Sequence, residues 1–332
     1  MKRLNNLYEK IISLDNLRLA DEKARKGKLR SYGVRKHDRN RDNNIYKLHN
    51  QLKNGTYKTS KYHIFNMVTD AGKERTIYRL PYYPDRILHH SIMNIMEPVW
   101  MSIFTSDTYS CIKGKGIHGV LRKLKNDLLD YQNTRYCLKM DIRKYYPSIN
   151  HSVLKQLIRK KIKDKRLLVL LDEIIDSAPG VPIGNYLSQF FANIYLTYFD
   201  HWLKEQMQVK YYYRYADDMV ILSSNKKELH YLKNQIEIFL NSLKLDLKSN
   251  YQIFPVESRG IDFVGYVFRH DYIKLRKSIK KSFARKSSKH KFQGNKNYDM
   301  ELCSYKGWAK HCNSINLQNK LKNESIIRSR AS

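Results

Sequence analysis

The sequence predicts a chain of mixed α and β structure, because short apolar runs typical of strands alternate with longer segments of helical periodicity. The clearest strand-like runs are residues 136–142, 211–223 and 260–268. The clearest helical patterns cover residues 86–100, 188–207 and 227–245. With 332 residues, 42% of them hydrophobic, the chain is long enough for one large multilobed domain or two modest ones.

The charge of the chain indicates a polyanionic partner. Lysine and arginine number 63 against 31 acidic residues, which gives a formal charge of +32 and a pI near 9.8. Such an excess repels itself unless it is neutralised, and nucleic acid is the partner class that fits best. The 26 tyrosines agree with this interpretation, since a phenol ring can stack on a base while its hydroxyl reaches a phosphate or sugar.

The spacing of the cysteines and the hydropathy of the chain argue against several other classes of protein. The four cysteines are far apart and form no CxxC pair, so neither a zinc site nor a disulfide framework is indicated. The N-terminus lacks the features of a signal peptide, and no uninterrupted apolar stretch approaches 18 residues. We therefore expect no membrane contact and a reducing, cytoplasmic location.

Several further segments have patterns that predict local structure. Residues 1–55 are highly charged and predict short helices and basic loops that contact nucleic acid. The alternating residues around Asp70-Ala71-Gly72 predict a β-hairpin. Residues 152–177 are predicted to be helical, Ser188 is the expected N-cap of the following helix, and residues 286–297 predict a flexible break.

A loop rich in glycine and lysine, with Lys113 and Lys115, precedes a helical pattern and is suited to receive a backbone phosphate at the helix N-terminus. The spacing of a Walker P-loop is absent from it, which argues against ATP hydrolysis.

Acidic residues at the ends of apolar strands carry the strongest chemical signal. Asp141 closes one such strand, and Asp217 and Asp218 lie on a tight turn between two others, with Arg214 and Lys226 as the nearby cations. An Asp-Asp pair on a turn is usually an ordinary turn pair. Here the flanking strands and the upstream Asp141 favour a divalent-metal site for nucleotidyl transfer, because adjacent carboxylates repel and supply hard oxygen ligands.

These residues also resemble a known family. Tyr215-Ala216-Asp217-Asp218 resembles the YxDD box of reverse transcriptases, and the nine residues from Asp141 resemble their first catalytic motif. The similarity continues in the family's order over most of residues 60–315. It implies a right-hand polymerase fold of α+β type, with a basic N-terminal extension and fingers at 1–80, a palm at 81–272 that has a helical insertion at about 150–180, and a short helical thumb at 273–332.

The resemblance implies site residues as well. Two Mg²⁺ ions, or Mn²⁺, are expected at Asp141, Ile142, Asp217 and Asp218. Deoxynucleotide contacts are expected from Lys73, Arg75, Arg79, Tyr146, Ile183, Gly184 and Gln189, where Tyr146 would exclude a 2′-hydroxyl while its neighbour Tyr145 belongs to the core. Template and primer contacts are expected from Lys113, Lys115, Tyr215, Gly265 and Tyr266. The general acid stays unassigned, because Lys248 precedes the position where the family places its lysine.

One motif narrows the resemblance. Where many members have Gln-Gly-x-x-x-Ser-Pro, this chain has Ile183-Gly184-Asn185-Tyr186-Leu187-Ser188-Gln189, which is similar to reverse transcriptases of diversity-generating retroelements. That subfamily implies a structured template RNA, misincorporation opposite adenine, and a small basic accessory protein in a bacterial or phage-infected cell. The alternatives are a retron, intron-maturase or phage-defence enzyme, and an inactive RNA-binding scaffold.

Overall fold

The computed structural model describes residues 2–68, 74–293 and 298–321, except for the side chains of 289–293 and 298–301. Backbone contacts divide the chain into two compact units, each assembled from three segments. The first unit comprises Met1–Ile112, Ile142–Gln208 and Glu237–Leu247, and the second Lys113–Asp141, Val209–Ile236 and Lys248–Ser332. The predicted boundaries near residues 80 and 272 stay predictions.

Within the described residues, the helices are α1 Tyr8–Ile12, α2 Leu14–Arg25, α3 Tyr32–Asp38, α4 Arg41–Lys53, α5 Ile87–Met101, α6 Gly116–Asp127, α7 Tyr145–Ser148, α8 His151–Arg159, α9 Lys165–Asp176, α10 Tyr186–His201, α11 Lys226–Ser242, α12 Val256–Arg259, α13 Lys277–Gln293 and α14 Tyr298–Ala309. The strands are β1 His63–Val68, β2 Glu74–Arg79, β3 Tyr136–Asp141, β4 Tyr211–Tyr215, β5 Asp218–Ser223, β6 Gln252–Pro255, β7 Ile261–Phe263, β8 Tyr266–Phe268 and β9 Ile273–Leu275. In the described part of the chain, no helix is long and apolar enough to cross a bilayer.

The N-terminal helices of the first unit are held by a buried carboxylate. Asp21 on α2 is fully buried and accepts hydrogen bonds from Tyr82 at 2.5 Å, Arg41 at 2.7 Å and Arg25 at 2.8 Å. Burial alone would raise the pKa of Asp21, but hydrogen bonds from His37, Tyr82 and Arg41 lower it well below its ordinary value. The predicted basic helices therefore form an ordered part of this unit.

Two helices replace the single predicted helical segment at 152–177. Asn150 caps α8 through the Val153 amide, and Asp164 caps α9 through the Leu167 amide. The predicted N-cap Ser188 was wrong by one turn, since α10 starts at Tyr186 and the Ser188 hydroxyl donates to the Pro182 carbonyl at 2.6 Å.

The β-structure of the second unit consists of two antiparallel sheets. The four-stranded sheet has the order β4-β5-β3-β6, and the three-stranded sheet has the order β7-β8-β9. Met219, Val220 and Ile221 on β5 are fully buried, as are Tyr212 and Tyr213 on β4. The apolar runs at 136–142, 211–223 and 260–268 thus form strands as predicted.

The predicted break at 286–297 was wrong for its first part. Helix α13 continues to Gln293, and residues 294–297 lie outside the described part of the chain. Phe283 is buried and stacks on Tyr305 of α14 with ring centroids 5.5 Å apart. Packing between these helices stabilises a segment whose local composition disfavours a helix.

Candidate active site

The strand register brings two of the three predicted catalytic aspartates side by side. Asp141 at the end of β3 lies opposite Asp218 at the start of β5, and Asp217 lies in the two-residue turn before it. Directly opposed residues of an antiparallel pair have Cβ atoms about 5 Å apart. The backbone alone therefore clusters these carboxylates within the second unit.

The turn that carries Asp217 has an unfavourable backbone. Ala216 has a φ of 56°, in the left-handed region that costs a residue with a Cβ roughly 1–2 kcal/mol. The fully buried Arg214 donates to the Ala216 carbonyl at 3.1 Å. The side chain of Arg214, which the sequence indicated as a cation near the aspartates, thus supports the turn by a hydrogen bond to the main chain of Ala216.

The carboxylates are costly to ionise in this environment. Burial, and then the charge of Asp141, raises the pKa of Asp217 to about 6. Burial raises the pKa of Asp218 to about 7, with Lys139 opposing the shift and Asp141 and Asp217 adding to it. Crowded, desolvated carboxylates of this kind mark functional sites more often than structural ones.

Two lysines face these carboxylates. The Lys248 ammonium lies 2.5 Å from Oδ1 of Asp141, and its backbone amide donates to the Asp141 carbonyl at 2.9 Å. The Lys139 ammonium lies 4.0 Å from Oδ1 of Asp218. We did not expect Lys139 from the sequence, although strand alternation places it on the same face of β3 as Asp141.

The donor set suits a hard divalent cation. In the described residues, no three His, Cys, Asp or Glu side chains are already arranged around one metal position. However, Oδ1 of Asp218 is buried without a hydrogen-bond partner among the described residues, while Oδ1 of Asp141 is paired with Lys248. Carboxylate oxygens left open in this way are the ligands that Mg²⁺ prefers. Ile142, the fourth predicted metal ligand, is fully buried and pairs with Leu247, and its role as a ligand stays a prediction.

In the first unit, the loop between α9 and α10 carries Ile183 and Gly184, two of the predicted nucleotide-binding residues. This loop is hydrogen-bonded to the β1–β2 hairpin. The Tyr78 amide on β2 donates to the Ile183 carbonyl at 2.8 Å. A Cβ on Gly184, whose φ is 122°, would lie 2.4 Å from the Tyr78 carbonyl oxygen. Only glycine permits this approach, which holds Ile183 and Gly184 beside Arg79.

The same loop is bonded to the short helix α7. The Val181 amide donates to the Tyr146 carbonyl at 2.9 Å, so Tyr146 is tied to the loop that carries Ile183 and Gly184. Tyr145 is buried and its hydroxyl donates to the Ala192 carbonyl at 2.5 Å, which confirms that it belongs to the core.

The cationic residues of this region are accessible. Arg75 and Arg79 are exposed on β2, where their spacing of four places them on one face, and Gln189 is exposed on α10. Lys73 lies outside the described residues.

Comparison with known proteins decides the family. The family described as "Reverse transcriptase (RNA-dependent DNA polymerase)" matches residues 58–268, more than half of the chain. The chain belongs to the reverse transcriptase family.

Relatives of this reverse transcriptase include Protein YkfC of Escherichia coli K12, which is 26% identical over 66% of the chain and 69% of its own length. The group II intron-encoded protein LtrA of Lactococcus lactis is 21% identical over 68% of the chain and 49% of its own length. A telomerase from Candida tropicalis, solved with a TWJ fragment of telomeric RNA, has a TM-score of 0.52 at 14% identity and covers 70% of this chain and 49% of its own. The chain thus spans about half the length of the latter two proteins, and the structural similarity confirms the right-hand polymerase fold.

The β7–β8 hairpin of this reverse transcriptase carries the predicted primer contacts. Its turn residues Val264 and Gly265 have φ values of 43° and 89°. Tyr266 is fully buried and donates to the Trp308 carbonyl at 3.0 Å, so its ring is part of the core. Gly265 is also buried, and the primer contacts of both residues stay predictions.

The other predicted template and primer contacts also lie in the second unit. Lys113 is exposed, and Lys115 precedes the first residue of α6. Tyr215 ends β4 and is half-buried. The structure orders these residues, while their contacts with nucleic acid stay predictions.

Sequence inspection missed a basic cavity in the first unit. Its volume is about 1140 Å³, and among its described lining residues none is acidic. His89 is buried with its Nε2 unpaired, and Nε of Arg86 is also buried without a partner in the described residues. Desolvation, followed by the charges of Arg86 and Arg79, lowers the pKa of Lys28. The cationic and aromatic lining residues are Lys28, Lys36, Lys61, Arg79, Arg86, Tyr32, Tyr82, Tyr83 and Tyr186.

Proposed function

We propose that the protein copies RNA into DNA by two-metal nucleotidyl transfer at Asp141, Asp217 and Asp218. The observation that carries this proposal is the opposition of Asp141 and Asp218 in the sheet, with an open carboxylate oxygen on Asp218. When bound, two Mg²⁺ ions would lower the pKa of the primer 3′-hydroxyl and stabilise the leaving pyrophosphate.

The first unit would hold the incoming deoxynucleotide. Arg75 and Arg79 offer guanidinium groups that suit bidentate contact with triphosphate oxygens. The resemblance to the family implies the same role for Lys73. The half-buried Tyr146 would lie under the sugar and exclude a 2′-hydroxyl. Its main-chain bond to the loop of Ile183 and Gly184 supports a common pocket for these residues.

The basic cavity supports RNA as the template. A volume near 1140 Å³ is larger than a typical small-ligand pocket and suits several nucleotides. Its lysines and arginines would neutralise phosphates, and the exposed Tyr32 offers a stacking surface for a base.

Within this activity, we favour the enzyme of a diversity-generating retroelement, which misincorporates opposite template adenine. The motif from Ile183 to Gln189 supports this choice, since an isoleucine in place of an amide removes a polar contact that checks the geometry of the base pair. A small basic accessory protein would then assist the enzyme on a structured RNA. The second candidate is an intron-type enzyme, which the similarity to LtrA favours.

The test of the polymerase activity is primer extension on RNA with Mg²⁺ and deoxynucleotides. Asp217→Asn should lower the rate by about 1,000-fold or more, because metal-assisted charge stabilisation is worth several kcal/mol. Asp15→Asn is the matched control, since the Asp15 side chain is 99% exposed. Equal rates for wild type and Asp217→Asn would refute the assignment.

Sequencing of the products separates the two candidates. Errors concentrated at template adenines, and reduced several-fold by Ile183→Gln, would support the diversity-generating enzyme. Faithful copying by the wild type, with no response to Ile183→Gln, would favour the intron-type enzyme and leave the polymerase assignment intact.

A further inference from the structure

Lys139 connects the catalytic sheet to the hairpin that follows it within the second unit. Its ammonium lies 4.0 Å from Oδ1 of Asp218 and donates a hydrogen bond to the main-chain carbonyl of Asp262 on β7. The side chain is only 24% exposed. One cation is therefore shared between a catalytic carboxylate and the backbone of another sheet.

The same hairpin is held from its other side by Arg276. The Arg276 guanidinium donates to Oδ1 of Asp262 at 2.6 Å, and its backbone amide donates to the Gly265 carbonyl at 3.0 Å. A Cβ on Gly265 would lie 2.3 Å from Trp308, which shows how closely α14 covers the turn. The β7–β8 hairpin is thus fixed at Asp262 and at Gly265.

The geometry distinguishes Lys139 from Lys248. Lys248 lies 2.5 Å from Asp141, within contact distance of its carboxylate. Lys139 directs its hydrogen bond to a carbonyl and stays 4.0 Å from Asp218, whose Oδ1 keeps no hydrogen-bond partner among the described residues. Lys139 therefore supplies positive charge near Asp218 while leaving that oxygen open.

We propose that Lys139 is a positioning residue that sets the β7–β8 hairpin, and with it the primer 3′ end, relative to Asp218. The proposal rests on the proposed function and on the primer contacts that the resemblance implies at Gly265 and Tyr266 of this hairpin. A hairpin released from Lys139 would still bind the primer through its turn, but the 3′-hydroxyl would be misplaced from the carboxylates.

The test is single-nucleotide primer extension by Lys139→Met, which keeps the length of the stem and removes both the charge and the donor. We expect kcat to fall by about 10- to 100-fold, the effect of a misplacement of roughly 1 Å. The KM for primer–template should change by less than about threefold, because ground-state binding is retained. Lys139→Arg, which restores the charge and the donor, should recover most of kcat.

Two further variants complete the experiment. Lys123→Met removes an exposed lysine paired with Asp127 in the same unit and should keep kcat. Arg276→Met removes the second anchor of Asp262 and should lower kcat in the same direction, which keeps the test valid if Lys139→Met does not fold.

The outcomes separate this inference from the proposed function. Wild-type protein without polymerase activity on any primed RNA would overturn the proposed function. An active wild type would instead overturn the role of Lys139 if Lys139→Met matched its kcat. Failure of Lys139→Arg to recover kcat, or a loss confined to the KM for primer–template, would also overturn it.

Discussion

Replacement of Asp218 by asparagine should stabilise the metal-free protein while abolishing activity. Burial and the neighbouring carboxylates Asp141 and Asp217 raise the pKa of Asp218 from 3.8 to about 7, against the opposing charge of Lys139. At 1.36 kcal/mol per pKa unit, ionisation of Asp218 costs the folded state at most about 4 kcal/mol relative to the unfolded chain. A buried asparagine amide left without hydrogen-bond partners costs about 1–3 kcal/mol, so we expect a net gain of about 1–3 kcal/mol at pH 8.

The stability that Asp218→Asn gains over wild type should increase as the pH rises. Because the folded-state pKa is raised, the favourable contribution of the protonated group is complete below about pH 4 and is lost as the pH rises through about 7. Wild type should therefore lose stability between these values, and Asp218→Asn should lose less. Urea unfolding followed by circular dichroism at pH 5 and pH 8, with EDTA present, measures the difference.

A matched control and a metal titration make the result decisive. Asp15→Asn alters a carboxylate that is 99% exposed and should change stability by less than about 0.5 kcal/mol. Adding Mg²⁺ should raise the urea midpoint of unfolding of wild type more than that of Asp218→Asn, because ligand binding stabilises only the state that binds the ligand. A loss of stability in Asp218→Asn at pH 8, or a pH dependence identical to that of wild type, would refute the reasoning.

Two further predictions follow from the glycine turns and the cavity. Gly265→Ala should cost about 2–4 kcal/mol in thermal unfolding, since its Cβ would overlap Trp308 and φ is positive, whereas Gly27→Ala, with φ of 70° and open space, should cost about 1 kcal/mol. Equal costs would contradict the overlap with Trp308. Tyr32→Ala should weaken the binding of single-stranded RNA about tenfold by fluorescence anisotropy at fixed salt, because one stacked base is worth about 1–3 kcal/mol. Tyr46→Ala, an exposed tyrosine that does not line the cavity, should bind RNA like wild type, and equal weakening by both would contradict a site at the cavity.

Local pattern was sufficient to predict the elements that carry the aspartates. Short apolar runs predicted β3 and the β4–β5 hairpin, and acidic residues at strand ends predicted the cluster of Asp141 with Asp218. The pairing of Lys139 with Asp262 could not be predicted in this way, because it joins residues 123 positions apart through two different sheets. The alternation of side chains along a strand predicts only that Lys139 lies on the same face of β3 as Asp141.

Tertiary packing decided the elements that the sequence mispredicted. Composition indicated a break at residues 286–297, but contact between Phe283 and Tyr305 holds α13 in a helix through Gln293. Ser188 has the chemistry of an N-cap, yet its hydroxyl bonds to Pro182 inside the loop that approaches β2. A contact distant in sequence outweighed the local preference at α13, whereas at Ser188 a hydrogen bond within the preceding loop did so.

The unfavourable features of the second unit are concentrated at its candidate site. Ala216 and Val264 have positive φ values, Ala216 in the turn next to the predicted catalytic carboxylates and Val264 in the predicted primer-binding hairpin. Asp141 and Asp218, two carboxylates, are directly opposed in the sheet, and Oδ1 of Asp218 keeps no hydrogen-bond partner among the described residues. Each of these features lowers the stability of the protein without its ligands, and costs of this kind persist where function requires them. Binding of divalent cations would offset the opposed negative charges, so the carboxylates that destabilise the free protein are those expected to gain most from the bound metal.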